Sequence, residues 1–195
     1  MALIGPKESS TAVVIGGCLQ MLNVLGISAS ATSRELSSHT YNHLYRTVPS
    51  DIFRAKAMAD IIEHFKWSYI AAVGGDDSYG RNGLWSLDKE AATRNSFCVA
   101  MTEFIPNEGR ILSIRNIVTT LRRRENIRVV ILWLYGSYKK YFFSEVKRQN
   151  LTGRVWILSD EFPSNSYPDS SSLDGIIIVQ PHSFPDVDFK NIKKL

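Results

Sequence analysis

The chain alternates short, unbroken apolar runs with longer segments whose apolar residues recur every three or four positions. SYIAAV, RVVILWL, RVWIL and GIIIVQ are of the first kind. Runs with no polar face read as strands buried on both sides, the pattern of a parallel sheet covered by helices. Of the second kind, Met58, Ile61, Ile62 and Phe65 share one helical face. Ile111, Ile114, Ile117, Val118 and Leu121 share another, and Tyr138, Tyr141, Phe142 and Val146 a third. Residues 10–25 read as a helix leading into a short strand near Ile27. Residues 45–48 are extended, and Pro49 stops them because the residue before a proline avoids the helical region. Asp51 is placed to cap the next helix. A helix over residues 82–94 and a strand around 97–101 complete the series. The alternation predicts an α/β fold.

Both ends read as interrupted elements: ALIGP as the end of a strand, DFKNIKKL as a helix just begun. Residues 162–172, rich in Ser and Pro, read as the flexible stretch.

Composition narrows the function. With 195 residues and 44% hydrophobic content, the chain can build a sizeable core. A net charge of +4 is mild, and the one tight basic cluster, Arg122 to Arg124, closes a predicted helix, where cations suit the macrodipole. A nucleic-acid partner is therefore not expected. Cys18 and Cys98 show no CxxC spacing and the four histidines form no ligand-spaced pair, so no metal site is expected. The sequence holds neither a bilayer-length apolar run nor a signal-peptide pattern at its start.

Ligands of open parallel sheets collect at the carboxyl ends of the strands. Three such ends carry distinctive chemistry here: GGDDSYG, YGSYKK and SDEF. The first lacks the Gly-Lys-Ser/Thr of a phosphate loop, the GxGxxG fingerprint and the alternating oxygens of an EF-hand. Asp77 or Ser78 is suited to cap the following helix. No histidine is placed to activate a serine, no GxSxG elbow occurs, and Asp160 and Glu161 point apart if extended. An enzyme, such as a doubly wound α/β catalyst, is disfavoured. Asn150-Leu151-Thr152 is a glycosylation sequon in a turn between a helix and a strand.

The pieces IGPKESSTAV, ISASATSRELS, YRTVPSD, AMADIIEHFKWSYIAAV, DDSYGRNG and RQNLTGRVWILSDE span almost the whole chain. In that order and spacing they resemble the extracellular Venus-flytrap domain of family C G-protein-coupled receptors. AMADII, DDSYGR and NLTGRVW look closest to the calcium-sensing branch. The resemblance implies a periplasmic-binding-protein type I-like fold of two α/β lobes closing on an amino acid or a related small molecule. Residues 1–45 would belong to lobe one, 46–180 to a nearly complete lobe two, and 181–195 would return to lobe one. A ligand carboxylate would be held by Ser9, Ser30 and Thr32, and a ligand ammonium by Asp51, Tyr79 and Asp160. An aromatic residue common before the serine/threonine turn is Ala29 here.

Cys98 matches the family cysteine bridged to a cysteine-rich stalk outside this chain. The face of Cys18, Met21, Leu22 and Leu25 matches a dimer face, with ordinary core the equal alternative. The resemblance further implies a plasma-membrane receptor with this region outside, a second subunit as partner and no cofactor, and it leaves calcium modulation open. A soluble amino-acid-binding protein or a guanylyl-cyclase-type receptor ectodomain shares the fold and is the alternative.

Overall fold

The computed structural model describes residues 2–160 and 175–181. The expectations for Glu161, for residues 162–172 and for the tail from 182 onward lie outside these described residues. Two parallel sheets form, and both are flanked by helices, as an α/β fold requires.

The first sheet has the order β1 (Ala2–Ile4), β2 (Leu25–Ser28), β3 (Leu44–Arg46). Helix α1 (Ser9–Leu22) connects β1 to β2, and two 3₁₀ turns, Arg34–Ser37 and His39–Tyr41, precede β3. Helix α1 ends three residues earlier than the apolar pattern suggests. Asn23 adopts the left-handed conformation and its N–H bonds back to Gln20, an αL stop that asparagine tolerates. The core here is small, built on Ala12, Leu19, Ala31, Leu36 and Leu44.

The second sheet has the order β5 (Cys98–Ile105), β4 (Tyr69–Gly75), β6 (Val129–Trp133), β7 (Val155–Leu158), β8 (Ile176–Ile178). Every pairing is parallel. All five residues of β6 are buried, as its unbroken apolar run requires. Helices α2 (Asp51–His64) and α3 (Ser78–Arg94) cover one face; α4 (Arg110–Arg123) and α5 (Gly136–Arg148) cover the other. Strand β5 extends four residues past the predicted end because β4 offers it partners as far as Ile105.

Several local expectations change. Ser50, not Asp51, is the N-cap of α2; Asp51 is the first helical residue and is fully buried. Its carboxylate cannot cap because it is held by Arg54 and Thr32. Helix α3 starts at Ser78 rather than near 82, since Asp77 caps it by accepting from the Gly80 N–H at 2.8 Å. Phe65 lies beyond the end of α2 and is exposed, its ring stacked on Trp67, and Tyr141 is exposed on α5. Arg122 and Arg123 do occupy the last turn of α4.

Two glycines of α3 set how closely it approaches the sheet. A Cβ on Gly80 would collide with the Gly75 backbone, and one on Gly83 would overlap the Trp133 indole. The α3 N-terminus, and with it Tyr79, is therefore drawn tightly against the ends of β4 and β6.

Candidate functional site

The carboxyl ends of β1 and β2 face those of β4, β6 and β7, and side chains from both sheets meet there. On the first unit, Ser9 opens α1 and is buried. Its backbone N–H donates to the Tyr135 hydroxyl at 3.3 Å, and its Oγ accepts from the Ser33 N–H at 3.2 Å. Ser28 shapes the loop after β2: its Oγ donates to the Pro6 carbonyl at 2.6 Å and accepts from the Ala31 N–H at 3.1 Å. That turn directs Thr32 across the cleft, where its hydroxyl donates to Asp51 Oδ2 at 2.9 Å. The backbone repeats the link, with the Asp51 N–H donating to the Thr32 carbonyl at 2.8 Å.

Ser30 takes no part in this crossing. It is exposed, and its hydroxyl donates to the Lys7 carbonyl at 2.8 Å.

On the second unit, Asp51 Oδ1 accepts from Arg54 Nη1 at 2.7 Å. The same nitrogen donates to the Tyr79 hydroxyl at 3.2 Å, and Tyr79 shares a 2.8 Å hydrogen bond with Ser159. The Tyr79 ring stacks on Tyr135 with centroids 4.6 Å apart, which leaves Tyr79 4% exposed. Asp160 is exposed beside Ser159; its charge acts on both Asp51 and Tyr79, and its carbonyl accepts from the buried Lys139 Nζ at 2.6 Å.

Burial dominates the electrostatics. It raises the Asp51 carboxyl to about 6, against the opposing pull of Arg54 and Thr32. It pushes the Tyr135 phenol up to about 12 and the Tyr79 phenol higher still, so both remain neutral hydrogen-bonding groups at physiological pH.

At the cleft mouth a second set of contacts joins the units. The Ser78 hydroxyl donates to Ser33 Oγ at 3.3 Å and to Glu35 Oε2 at 3.1 Å, and Asn82 donates to Glu35 at 3.4 Å. The Arg34 guanidinium lies 3.6 Å above the centre of the Trp85 ring, a cation–π contact.

The structure thus brings Ser9, Thr32, Asp51 and Tyr79 together, buried, where the two units meet, with Asp160 exposed beside them, and leaves Ser30 outside this contact. Sequence reasoning gave no role of their own to Arg54, Tyr135, Ser33 or Glu35. Arg54 could have been found from its position one helical turn after Asp51, where i and i+3 side chains meet. Tyr135 begins YGSYKK, one of the three strand ends that the sequence marks as distinctive, directly after the most strand-like run.

The remaining expected residues lie away from the cleft. Asn150 is exposed in a left-handed turn after α5, and Cys98 is a free, exposed cysteine at the start of β5. Cys18 is exposed on α1, and Met21, Leu22 and Leu25 are 87%, 71% and 49% exposed, so the described residues do not bury them in a core. Among the described residues no cluster of three His, Cys, Asp or Glu could hold a metal, and no helix is long and apolar enough to cross a membrane.

Residues 1–194 match the family described as the receptor family ligand-binding region. The extracellular calcium-sensing receptor of Mus musculus is 29% identical over 167 residues, covering 85% of this chain and 15% of that protein. The metabotropic glutamate receptor of Drosophila melanogaster is 32% identical over 160 residues, 81% of this chain and 16% of its own length. Metabotropic glutamate receptor 4 of Mus musculus is 28% identical over 170 residues, 86% of this chain and 19% of its own. The chain spans less than a fifth of each of these relatives. It belongs to the receptor ligand-binding-region family, among the extracellular ligand-binding domains of family C G-protein-coupled receptors.

Proposed function

We propose that this chain is part of a receptor that receives an amino acid or a related small molecule between its two α/β units and signals when they close. The observation carrying this reading is that Ser9 and Thr32 of one unit meet Tyr135 and Asp51 of the other across a single cleft. The hydroxyls beside the α1 N-terminus suit a ligand carboxylate. Asp51, Tyr79 and Asp160 form the opposite wall. A ligand touching both walls binds the closed arrangement better than the open one, and only such differential affinity shifts the equilibrium.

In the full-length receptor this region lies outside the plasma membrane. The exposed face of Cys18, Met21, Leu22 and Leu25 meets a second subunit, Cys98 pairs with a stalk, and Asn150 carries a glycan. Calorimetry on the receptor ectodomain with a panel of amino acids and related acids tests the cleft. Ser9→Ala is expected to weaken the best ligand about tenfold, the scale of one charge-assisted hydrogen bond. Unchanged affinity in both Ser9→Ala and Asp51→Ala would remove the cleft as the binding site.

A further inference from the structure

Arg54 stands where the opposite wall of the cleft would meet a cationic ligand group. Its Nη1 lies 2.7 Å from Asp51 Oδ1 and 3.2 Å from the Tyr79 hydroxyl, and its guanidinium carbon lies 6.0 Å from the centre of the Trp133 ring. The Asp51 side chain is fully buried and that of Arg54 is 10% exposed. The second Asp51 oxygen already accepts from Thr32. One face of the Tyr79 ring is covered by Tyr135. The Asp51 carboxylate, the Tyr79 phenol oxygen and that aromatic face, which together would attract an ammonium, are therefore already occupied by the protein's own groups, and Asp160 is the exposed acid of this wall.

An incoming ammonium would have to displace the guanidinium. That exchanges one cation for another at the carboxylate, with little net gain, and leaves Arg54 desolvated without its partner. Two polar groups at the start of α2, on its N-cap and its first turn, are open, and both can donate. Among the described residues, Arg54 Nε and Ser50 Oγ are buried with no hydrogen-bond partner. Both residues line a cavity of about 150 Å³ with Phe53, Ala57 and Gln180, on the side of α2 away from the Thr32, Asp51 and Tyr79 side chains, none of which lines it. Vacant donors call for an acceptor, not for another cation.

We infer that Arg54 is the specificity-determining residue of the cleft: it fills the cation position between Asp51 and Tyr79, so the preferred ligand is a small carboxylic acid without an α-amino group. This rests on the cleft being the binding site and narrows the ligand class received there. The ligand brings its acid group to the hydroxyls of lobe one, and the opposite wall supplies its own internal cation.

The test uses the full receptor ectodomain and matched pairs that differ only in the amino group: glutamate with glutarate, phenylalanine with 3-phenylpropionate. Calorimetry gives the affinity ratio within each pair. For the wild-type protein the des-amino member is expected to bind at least as tightly as the amino acid. Arg54→Gln, which vacates the cation position, is expected to shift the ratio tenfold or more toward the amino acid, whereas Arg54→Lys keeps the wild-type order. A tenfold wild-type preference for the amino acids, or a ratio unmoved by Arg54→Gln in a protein whose unfolding temperature is intact, overturns the assignment.

Ser9→Ala separates this failure from failure of the cleft itself. If Ser9→Ala weakens both members of a pair while Arg54→Gln leaves their ratio alone, only the role of Arg54 falls. If neither series binds, or Ser9→Ala has no effect, the cleft reading and the Arg54 inference fall together.

Discussion

The two sheets obey the same local rules and reach different ends. The five-stranded sheet has helices on both faces and a core on each, with Trp133, Ile131, Phe142 and Leu121 fully buried. The three-stranded sheet has one small core and leaves Ile4 90% and Val14 70% exposed, along with Leu25 and Ile27. Strand β1 (ALI) is apolar and exposed at every residue, and β2 (LGIS) alternates exposed and buried positions, so the described residues leave apolar area of this sheet uncovered. Uncovered apolar area of this kind marks a surface that another partner or segment covers. The stability of the described residues therefore sits in the second sheet, while the first contributes the hydroxyl wall of the cleft.

The sharpest way to break this contrast is Gly83→Ala on α3. The added methyl group would overlap the Trp133 indole, a fully buried ring that has no room to retreat. Forcing a methyl group into a packed core costs about 1–3 kcal/mol, and the depth of this overlap points to the top of that range. Denaturant unfolding should show a loss of about 3 kcal/mol. A loss below about 0.5 kcal/mol, the usual range for surface substitutions, would mean that the second sheet is not the rigid unit described.

What the residues disclosed in advance follows the same division. The strands of the second sheet were legible because unbroken runs such as RVVILWL have one physical solution, burial on both faces. The helix faces were legible from their spacing except at Phe65, Ile111 and Tyr141, which are exposed, and the Asp77 cap was legible from its side-chain chemistry. The role of Asp51 was not legible. A capping carboxylate and a buried, ion-paired one look alike in sequence, and only the approach of Thr32, nineteen residues away, decides between them. Arg54 is illegible for a related reason: in sequence it is an ordinary helical cation, and its partners depend on what α2 packs against. Cleft residues drawn from a single strand end were accessible, whereas pairings between the two sheets were not.

The Asp51 carboxyl is raised by burial from 3.8 to about 6. Between those values the folded state holds a proton that the unfolded state releases, so this group adds stability as pH falls from about 6 toward 4 and costs stability above 6. At about 1.4 kcal/mol per pKa unit, the full interval is worth up to about 3 kcal/mol. Asp51→Asn removes the titration. The stability difference between wild type and variant should therefore move in favour of wild type as pH is lowered from 7 to 4. A difference that stays flat across that range would show that Asp51 is solvated, and that the two units do not close over it.

The smallest expected effect comes from repeating the first substitution in the other sheet's helix. Gly17 lies within α1, and a Cβ there would meet nothing within 4 Å. A glycine in a helix interior costs about 0.5–1 kcal/mol relative to alanine, because it has more backbone freedom to lose on folding. Gly17→Ala should therefore stabilise the protein by about that amount, visible as a rise of roughly 1–4 °C in the unfolding midpoint. The same chemical change would thus have opposite signs at Gly83 and Gly17, because a packed indole faces one and open space the other. If Gly17→Ala instead destabilises in the full-length protein, something lies against this side of α1. Repeating the measurement across protein concentrations then identifies the cover: a penalty that fades on dilution points to a second copy, and a constant one to another part of the same chain.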